Sequence, residues 1–181
     1  MNAPGGACTG KGTFLLADPI KVLFICTGNL CRSPTAEGVL LHRVAAAGLT
    51  DRIKVDSAGT HDYHVGDAPD RRAQQAAARR GYDLSRLRGR QVIRRDFVEF
   101  DYVLAMDQAN LKALAPICPP EHARKLRLLM EFVPGVAELE VPDPYYGSEE
   151  DFDDVLNLLE AAAEGLLKHL REQLKSPPTP L

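Results

Sequence analysis

The chain has 181 residues, 45% of them hydrophobic and 26% charged, with a formal net charge of −3 and a pI near 6.0. Such values describe a folded globular chain of one domain; they exclude disorder throughout and a surface built everywhere to grip nucleic acid. A chain of this size buries roughly 70% of its unfolded surface and folds without disulfide staples. The cysteines Cys8, Cys26, Cys31 and Cys118 show no CxxC metal pairing, suit a reducing compartment, and therefore need another explanation.

Residues 1–19 read as a flexible leader, since they are Gly- and Ala-rich at the start and lack the basic start and long apolar run of a signal peptide. Within them, residues 5–13 (GGACTGKGT) imitate a nucleotide-binding loop. Gly12 stands where Ser or Thr should follow Lys11, and no strand precedes, so leader is the reading kept. No segment reaches the about 18 to 20 apolar residues of a membrane helix, which makes the cytoplasm the default address and leaves export without a recognisable segment open. The domain is expected over residues 20–175, and the Pro-rich end, 176–181 (SPPTPL), reads as a frayed tail.

Short apolar runs at 22–26, 53–56, 102–105 and 125–129 have strand length, and helical patterns at 34–47, 70–80, 108–114 and 149–174 follow them. This alternation predicts a small doubly wound α/β domain, a four-stranded parallel sheet flanked by helices with its ligand beyond the carboxyl ends of the strands. Ser33-Pro34 reads as an N-cap followed by a first-turn proline, Asp107 as the cap of the helix from Gln108, and Gly48 and Gly81 as stops.

The first strand runs into Cys26-Thr27-Gly28-Asn29-Leu30-Cys31-Arg32-Ser33 and then a helix start. Backbone N–H groups of such a loop can turn inward as a nest, and the helix dipole adds to it, making a site for a dianion such as phosphate. Gly28 and Asn29 tolerate left-handed backbone angles, and the Arg32 fork suits two phosphate oxygens. A thiol at the base of that cradle is expected to titrate well below 8.5 and to be a ready nucleophile, with the Ser33 hydroxyl able to donate to the sulfur. Spacing alone has roughly a 2% chance expectation in a chain of this composition. Cys118 has the same spacing to Arg124, but two prolines remove donors, Glu121 would repel phosphate, and no strand precedes it, so it reads as structural.

Hydrolysis of a phosphomonoester also needs a group that protonates the leaving oxygen and later deprotonates water. Asp143, held between Pro142 and Pro144 and followed by Tyr145, Tyr146 and Gly147, is the unusual carboxylate; the tyrosines offer flat walls to an aryl ring. A surface turn with stacked tyrosines is the alternative reading of this segment alone. Asp96, Asp101, Asp151, Asp153 and Asp154 read as ordinary helix-end or flanking carboxylates. The histidines 42, 61, 64, 122 and 169 show no triad or metal spacing and read as surface or packing residues.

Residues 22–34 (VLFICTGNLCRSP) and 143–147 (DPYYG), with 56–60 (DSAGT) and 100–107 (FDYVLAMD), closely resemble low-molecular-weight protein tyrosine phosphatases from about residue 21 to about 174. The resemblance implies a flavodoxin-like fold, no cofactor and no metal. It implies phosphotyrosine proteins, small aryl phosphates and inorganic phosphate as partners, with no nucleic acid and no membrane; the oligomeric state stays open. By it, Cys26 forms a phosphocysteine, Arg32 binds the phosphoryl oxygens and Asp143 is general acid and base. Asn29 holds the loop with Ser57 beneath it, Ser33 steadies the thiolate, and Tyr63, Tyr145 and Tyr146 wall the cleft with Thr27 and Leu30 at its rim. In similar proteins a cysteine at the position of Cys31 closes a reversible disulfide with the nucleophile; a small side chain packed under the loop is the alternative. The leader, the tail and 85–91 (SRLRGRQ) depart from the family pattern. An arsenate reductase, a phosphate-binding module without turnover and a flavin carrier are the competing readings. The first needs further thiols to shuttle a disulfide, and this chain has no cysteine between Cys31 and Cys118 while Asp143 and its tyrosines favour ester hydrolysis; a pure binder needs neither the thiol nor Asp143, and the loop lacks the Ser/Thr-rich character expected around a flavin phosphate.

Overall fold

The computed structural model describes residues 18–175. Most of the leader, with Cys8 and the Gly-rich decoy, and the tail 176–181 lie outside the described residues.

The elements are β1 (Ile20–Cys26), α1 (Arg32–Ala46), β2 (Ile53–Gly59), α2 (Arg71–Arg79), α3 (Asp96–Glu99), β3 (Tyr102–Ala105), α4 (Gln108–Leu114), β4 (Leu126–Leu128) and α5 (Glu149–Lys175), with 3-10 turns at Pro120–Lys125 and Leu129–Phe132. All strands are parallel, in the order β2-β1-β3-β4, which is the doubly wound, flavodoxin-like arrangement. From Val22 to Cys26, β1 is buried on both faces, which is why its sequence is a continuous apolar run and not an alternating one. Val22 and Phe24 enter the core shared with α1, α2 and α5, while Leu23 and Ile25 enter the second core with Phe97 of α3 and Leu114 of α4.

Two boundaries moved for physical reasons. β2 runs to Gly59 because it stays in register with β1 up to the pair Cys26 and Gly59, where a Cβ would lie 3.0 Å from the backbone of Thr27 and Gly28. Helix α1 begins at Arg32 with Cys31 at the N-cap and no side-chain cap, so Ser33 is not the cap expected from Ser33-Pro34; its hydroxyl faces the loop instead. Asp107 does cap α4, accepting from the N–H of Asn110 at 2.7 Å. Among the described residues no helix is long and apolar enough to cross a membrane.

Helix α5 carries its buried residues, from Phe152 to Leu170, at helical spacing along one stripe against α1 and the turn at Leu129–Phe132. At Gly165 the helix lies close against that turn, and an added Cβ would sit 2.0 Å from the carbonyl oxygen of Phe132. Alanine normally gains about 1 kcal/mol over glycine inside a helix. Here the clash with backbone outweighs it, and Gly165→Ala is expected to lower stability by about 1 to 3 kcal/mol in urea unfolding; unchanged or raised stability would show that α5 shifts freely.

Candidate active site

The loop between β1 and α1 is held from outside by its carbonyls. That of Cys26 accepts from Thr60 N at 2.9 Å, that of Thr27 from His61 N at 3.0 Å, that of Leu30 from Asp70 N at 2.9 Å and that of Cys31 from Thr35 Oγ1 at 2.6 Å. In a trans peptide the N–H of the next residue points the opposite way, so the donors of Thr27, Gly28, Cys31 and Arg32 turn toward the loop's interior. Asn29, at φ 53, is the one non-glycine residue with positive φ among the described residues, and its side chain holds the bend. Asn29 Nδ2 donates to Ser33 Oγ at 2.9 Å and Ser57 Oγ at 2.8 Å, and Asn29 Oδ1 accepts from Arg90 N at 2.9 Å.

Cys26 is buried, with its Sγ 3.0 Å from Ser33 Oγ. Arg32 is 2% exposed. One arm of its fork donates to Asp107 Oδ2 at 2.5 Å and to the carbonyl of Val141 at 3.1 Å; the other donates to Asp143 Oδ2 at 2.7 Å and to Thr27 Oγ1 at 3.4 Å. Burial works against the guanidinium charge, but the Cys26 sulfur, Asp107 and Asp143 outweigh it and hold Arg32 above its usual value. The segment bearing Asp143 is tied back to the sheet by Val141 N donating to the carbonyl of Met106 at 2.8 Å, and Tyr145 N closes a turn on Asp143 Oδ1 at 3.2 Å. Cys31 is a buried free thiol; burial first, then Asp70 and the Cys26 sulfur, push its titration far up and keep it neutral.

Above the loop opens a cleft of about 310 Å³. Cys26, Arg32 and Asp143 line it together with Thr27, Gly28, Leu30 and Cys31, and Tyr63, Tyr145 and Tyr146 stand along its sides. Tyr63 is stacked on His61 at 4.9 Å, and Tyr145 and Tyr146 meet edge to face at 4.9 Å. Tyr146 is 97% exposed and so is the outermost of the three. Arg72 braces this wall from α2, donating to the carbonyls of Tyr145 at 2.9 Å and Gly147 at 3.3 Å, with its guanidinium 4.5 Å from the Phe152 ring.

Besides Arg72, sequence reasoning missed several contributors. His64, expected to be a plain surface or packing residue, lines the cleft against Gly28 and is anchored by Asp67 at 3.2 Å. Asp107 both caps α4 and pairs with Arg32, and buried Asn110 donates to Thr27 Oγ1 at 3.1 Å. Arg90 supplies the N–H that orients Asn29, while its guanidinium bridges Asp56 at 2.8 Å and buried Asp96 at 3.0 Å. None of these had a local pattern to betray it. Cys118 lies apart from the cleft, in the second core, and donates weakly to the Pro119 carbonyl at 3.5 Å.

A flavodoxin-like sheet whose first strand delivers a cysteine to the base of a Cys-x5-Arg-Ser loop defines the class of small cysteine-dependent phosphatases. The family model for low molecular weight phosphotyrosine protein phosphatases matches residues 21–176, and the chain belongs to that family. It is 44% identical over 158 residues to a low molecular weight protein-tyrosine-phosphatase of Streptomyces coelicolor, covering 86% of this chain and 96% of that one. Among solved structures, a protein tyrosine phosphatase from Entamoeba histolytica, with Hepes in its active site, matches at TM-score 0.82 and 40% identity over 85% of this chain and 98% of its own. Bacillus subtilis YfkJ matches at TM-score 0.83 and 34% identity, over 88% and 98%.

Proposed function

We propose that the chain hydrolyses phosphotyrosine in proteins, and small aryl phosphates, through a phosphocysteine on Cys26. The Cys26 sulfur attacks phosphorus, the bond from phosphorus to the aryl oxygen breaks, and the Asp143 carboxyl gives its proton to the leaving phenolate. A water then attacks phosphorus while the Asp143 carboxylate takes its proton. The S–P bond breaks, inorganic phosphate leaves, and the Ser33 hydroxyl stabilises the departing thiolate. Arg32 and the inward N–H groups bear the charge on the equatorial oxygens throughout.

What supports this reading most is that Arg32 reaches Asp143 at 2.7 Å over the cleft whose base is Cys26, so that nucleophile, anion fork and acid converge on one volume. Leu30 and the tyrosines make its walls apolar, which suits the aryl ring of phosphotyrosine and gives the short side chain of phosphoserine nothing to pack on them. With buried free thiols at its base, the chemistry fits a reducing compartment, and we take the cytoplasm as its place of action.

The test is hydrolysis of p-nitrophenyl phosphate and of phosphotyrosine and phosphoserine peptides across pH, with acid quenching to trap phosphate on Cys26. Activity is expected to peak on the acidic side. Asp143→Ala is expected to lower kcat by about 10² to 10⁴, with the loss smaller for leaving groups that need no protonation. An Asp143→Ala protein that keeps full turnover with poor leaving groups would remove Asp143 from the mechanism.

A further inference from the structure

Asp143 lies on a segment with few ties to the rest of the molecule. Upstream, Val141 N donates to the carbonyl of Met106 at 2.8 Å. Beyond it, the backbone of residues 142–147 closes turns on itself, with Tyr145 N donating to Asp143 Oδ1 at 3.2 Å and Gly147 N to the Pro144 carbonyl at 2.9 Å. Among the described residues the only group outside the segment that bonds to this backbone is Arg72 of α2, which donates to the carbonyls of Tyr145 at 2.9 Å and Gly147 at 3.3 Å. Asp143 thus sits midway between two anchors, at Val141 and Tyr145. Arg32 also reaches Asp143, but not in the state that reacts. There the carboxyl carries a proton and the Arg32 fork meets phosphoryl oxygens, so the charge-assisted pair is no longer made and the backbone anchors hold the acid.

Arg72 is itself fixed, and it is fixed to the phosphate loop. Its Nε and Nη2 donate to the two oxygens of Asp70 at 3.1 Å and 2.9 Å, and its guanidinium lies 4.5 Å from the ring of buried Phe152. Asp70 caps α2 by accepting from Arg72 N at 2.8 Å, and its own N–H donates to the Leu30 carbonyl at 2.9 Å. One residue therefore bonds with its backbone to the loop that carries Cys26, and with its side chain to the arginine that holds the acid segment. The bonds from Arg72 keep the Asp70 carboxyl below its usual range, so it stays ionised on the acidic side, where activity is expected to peak. A planar fork can serve Asp70 along one edge and carbonyls along another, which an ammonium cannot. We infer that Arg72 is a positioning residue that sets the Asp143 carboxyl over the leaving oxygen by tying the acid segment, through Asp70, to the phosphate loop. The inference rests on Asp143 being the general acid.

Wild type, Arg72→Met, Arg72→Lys, Asp143→Ala and the double variant of Arg72→Met with Asp143→Ala are compared by kcat/KM for dinitrophenyl, p-nitrophenyl and phenyl phosphate, whose leaving phenols need progressively more protonation. This ratio covers binding through departure of the phenol, so the later role of Asp143 as base does not enter. Arg72→Met is expected to lose about tenfold with phenyl phosphate and no more than about twofold with dinitrophenyl phosphate, because a displaced acid matters only where a proton must be given. Arg72→Lys keeps a charge beside Asp70 but not both carbonyl bonds, and should show the same gradient with a loss of about threefold on phenyl phosphate. The double variant should stay within about twofold of Asp143→Ala, since both changes act through one group. An equal loss with every ester is what a weakened wall or fold would give, and that result, or losses that multiply, would overturn the inference. A second readout does not need turnover: amide hydrogen exchange at Tyr145 and Gly147 is expected to quicken by about tenfold in Arg72→Met. Unchanged exchange would overturn the inference even in a fully active enzyme, whereas quicker exchange beside an Asp143→Ala protein that matches wild type on phenyl phosphate would remove Asp143 as the acid and leave only the tether standing.

Discussion

Serine in place of Cys26 is expected to abolish hydrolysis of aryl phosphates while leaving the fold and phosphate binding in place. The substitution exchanges sulfur for a smaller oxygen at a position 2% exposed, and the Ser33 hydroxyl at 3.0 Å can bond to either atom, so little packing is lost. The inward N–H groups and the Arg32 fork are untouched, and they carry the affinity for a dianion. What disappears is the nucleophile, since an alcohol in this cradle has no adjacent base to take its proton. Asp143 cannot serve, because it is needed protonated for the leaving group in the same step. Turnover of p-nitrophenyl phosphate should fall by about 10⁴ or more, a loss in kcat with binding of inorganic phosphate by calorimetry within about threefold of wild type. Turnover of Cys26→Ser within about tenfold of wild type would mean that phosphate moves directly to water, and the phosphocysteine reading would be lost.

How much of this site could be read from the sequence depends on how its parts are strung along the chain. The loop from Cys26 to Ser33 is contiguous, and its strand-loop-helix setting is written in the apolar run before it and the proline after it. Asp143 was found because two prolines and two tyrosines make its surroundings unusual. Ser57 was reached only through the family resemblance, and Arg72 not at all, because an arginine in the first turn of a polar helix looks like a solvent-facing residue until the segment bearing Asp143 lies against it. Asp107 was read as a cap, and it is one; that a different carboxylate oxygen reaches Arg32 is a tertiary fact with no trace in spacing. The short α3 and the two 3-10 turns went unseen for a different reason, as four to six residues are too few to show a period. The sheet was legible because a central parallel strand buried on both faces announces itself as an uninterrupted apolar run.

Arg32 is where the structural and chemical demands meet, and two substitutions should separate them. The guanidinium is almost wholly buried and satisfies Asp107, whose side chain is 17% exposed, as well as the Val141 carbonyl and Asp143. Arg32→Met leaves the Asp107 carboxylate largely buried with its cationic partner gone, and the cost of such a break is about 3 kcal/mol of stability in urea unfolding. Asp143 adds little to that cost, because at 48% exposure water replaces the lost partner. Arg32→Lys keeps a positive charge that can still reach Asp107, so most of the stability should return. The ammonium cannot, however, span Asp107 and two phosphoryl oxygens at once, since it lacks the flat, two-armed fork. Activity toward aryl phosphates is therefore expected to stay about 10³-fold low in Arg32→Lys, comparable to Arg32→Met, even as the unfolding midpoint recovers. Recovery of both together would mean that Arg32 acts as a point charge beneath the loop; recovery of neither would mean that the Asp107 pair itself requires the fork. In the expected outcome the charge of Arg32 serves the fold and its shape serves the transition state, which explains how a single arginine can be committed to two carboxylates and still be the group that meets the substrate.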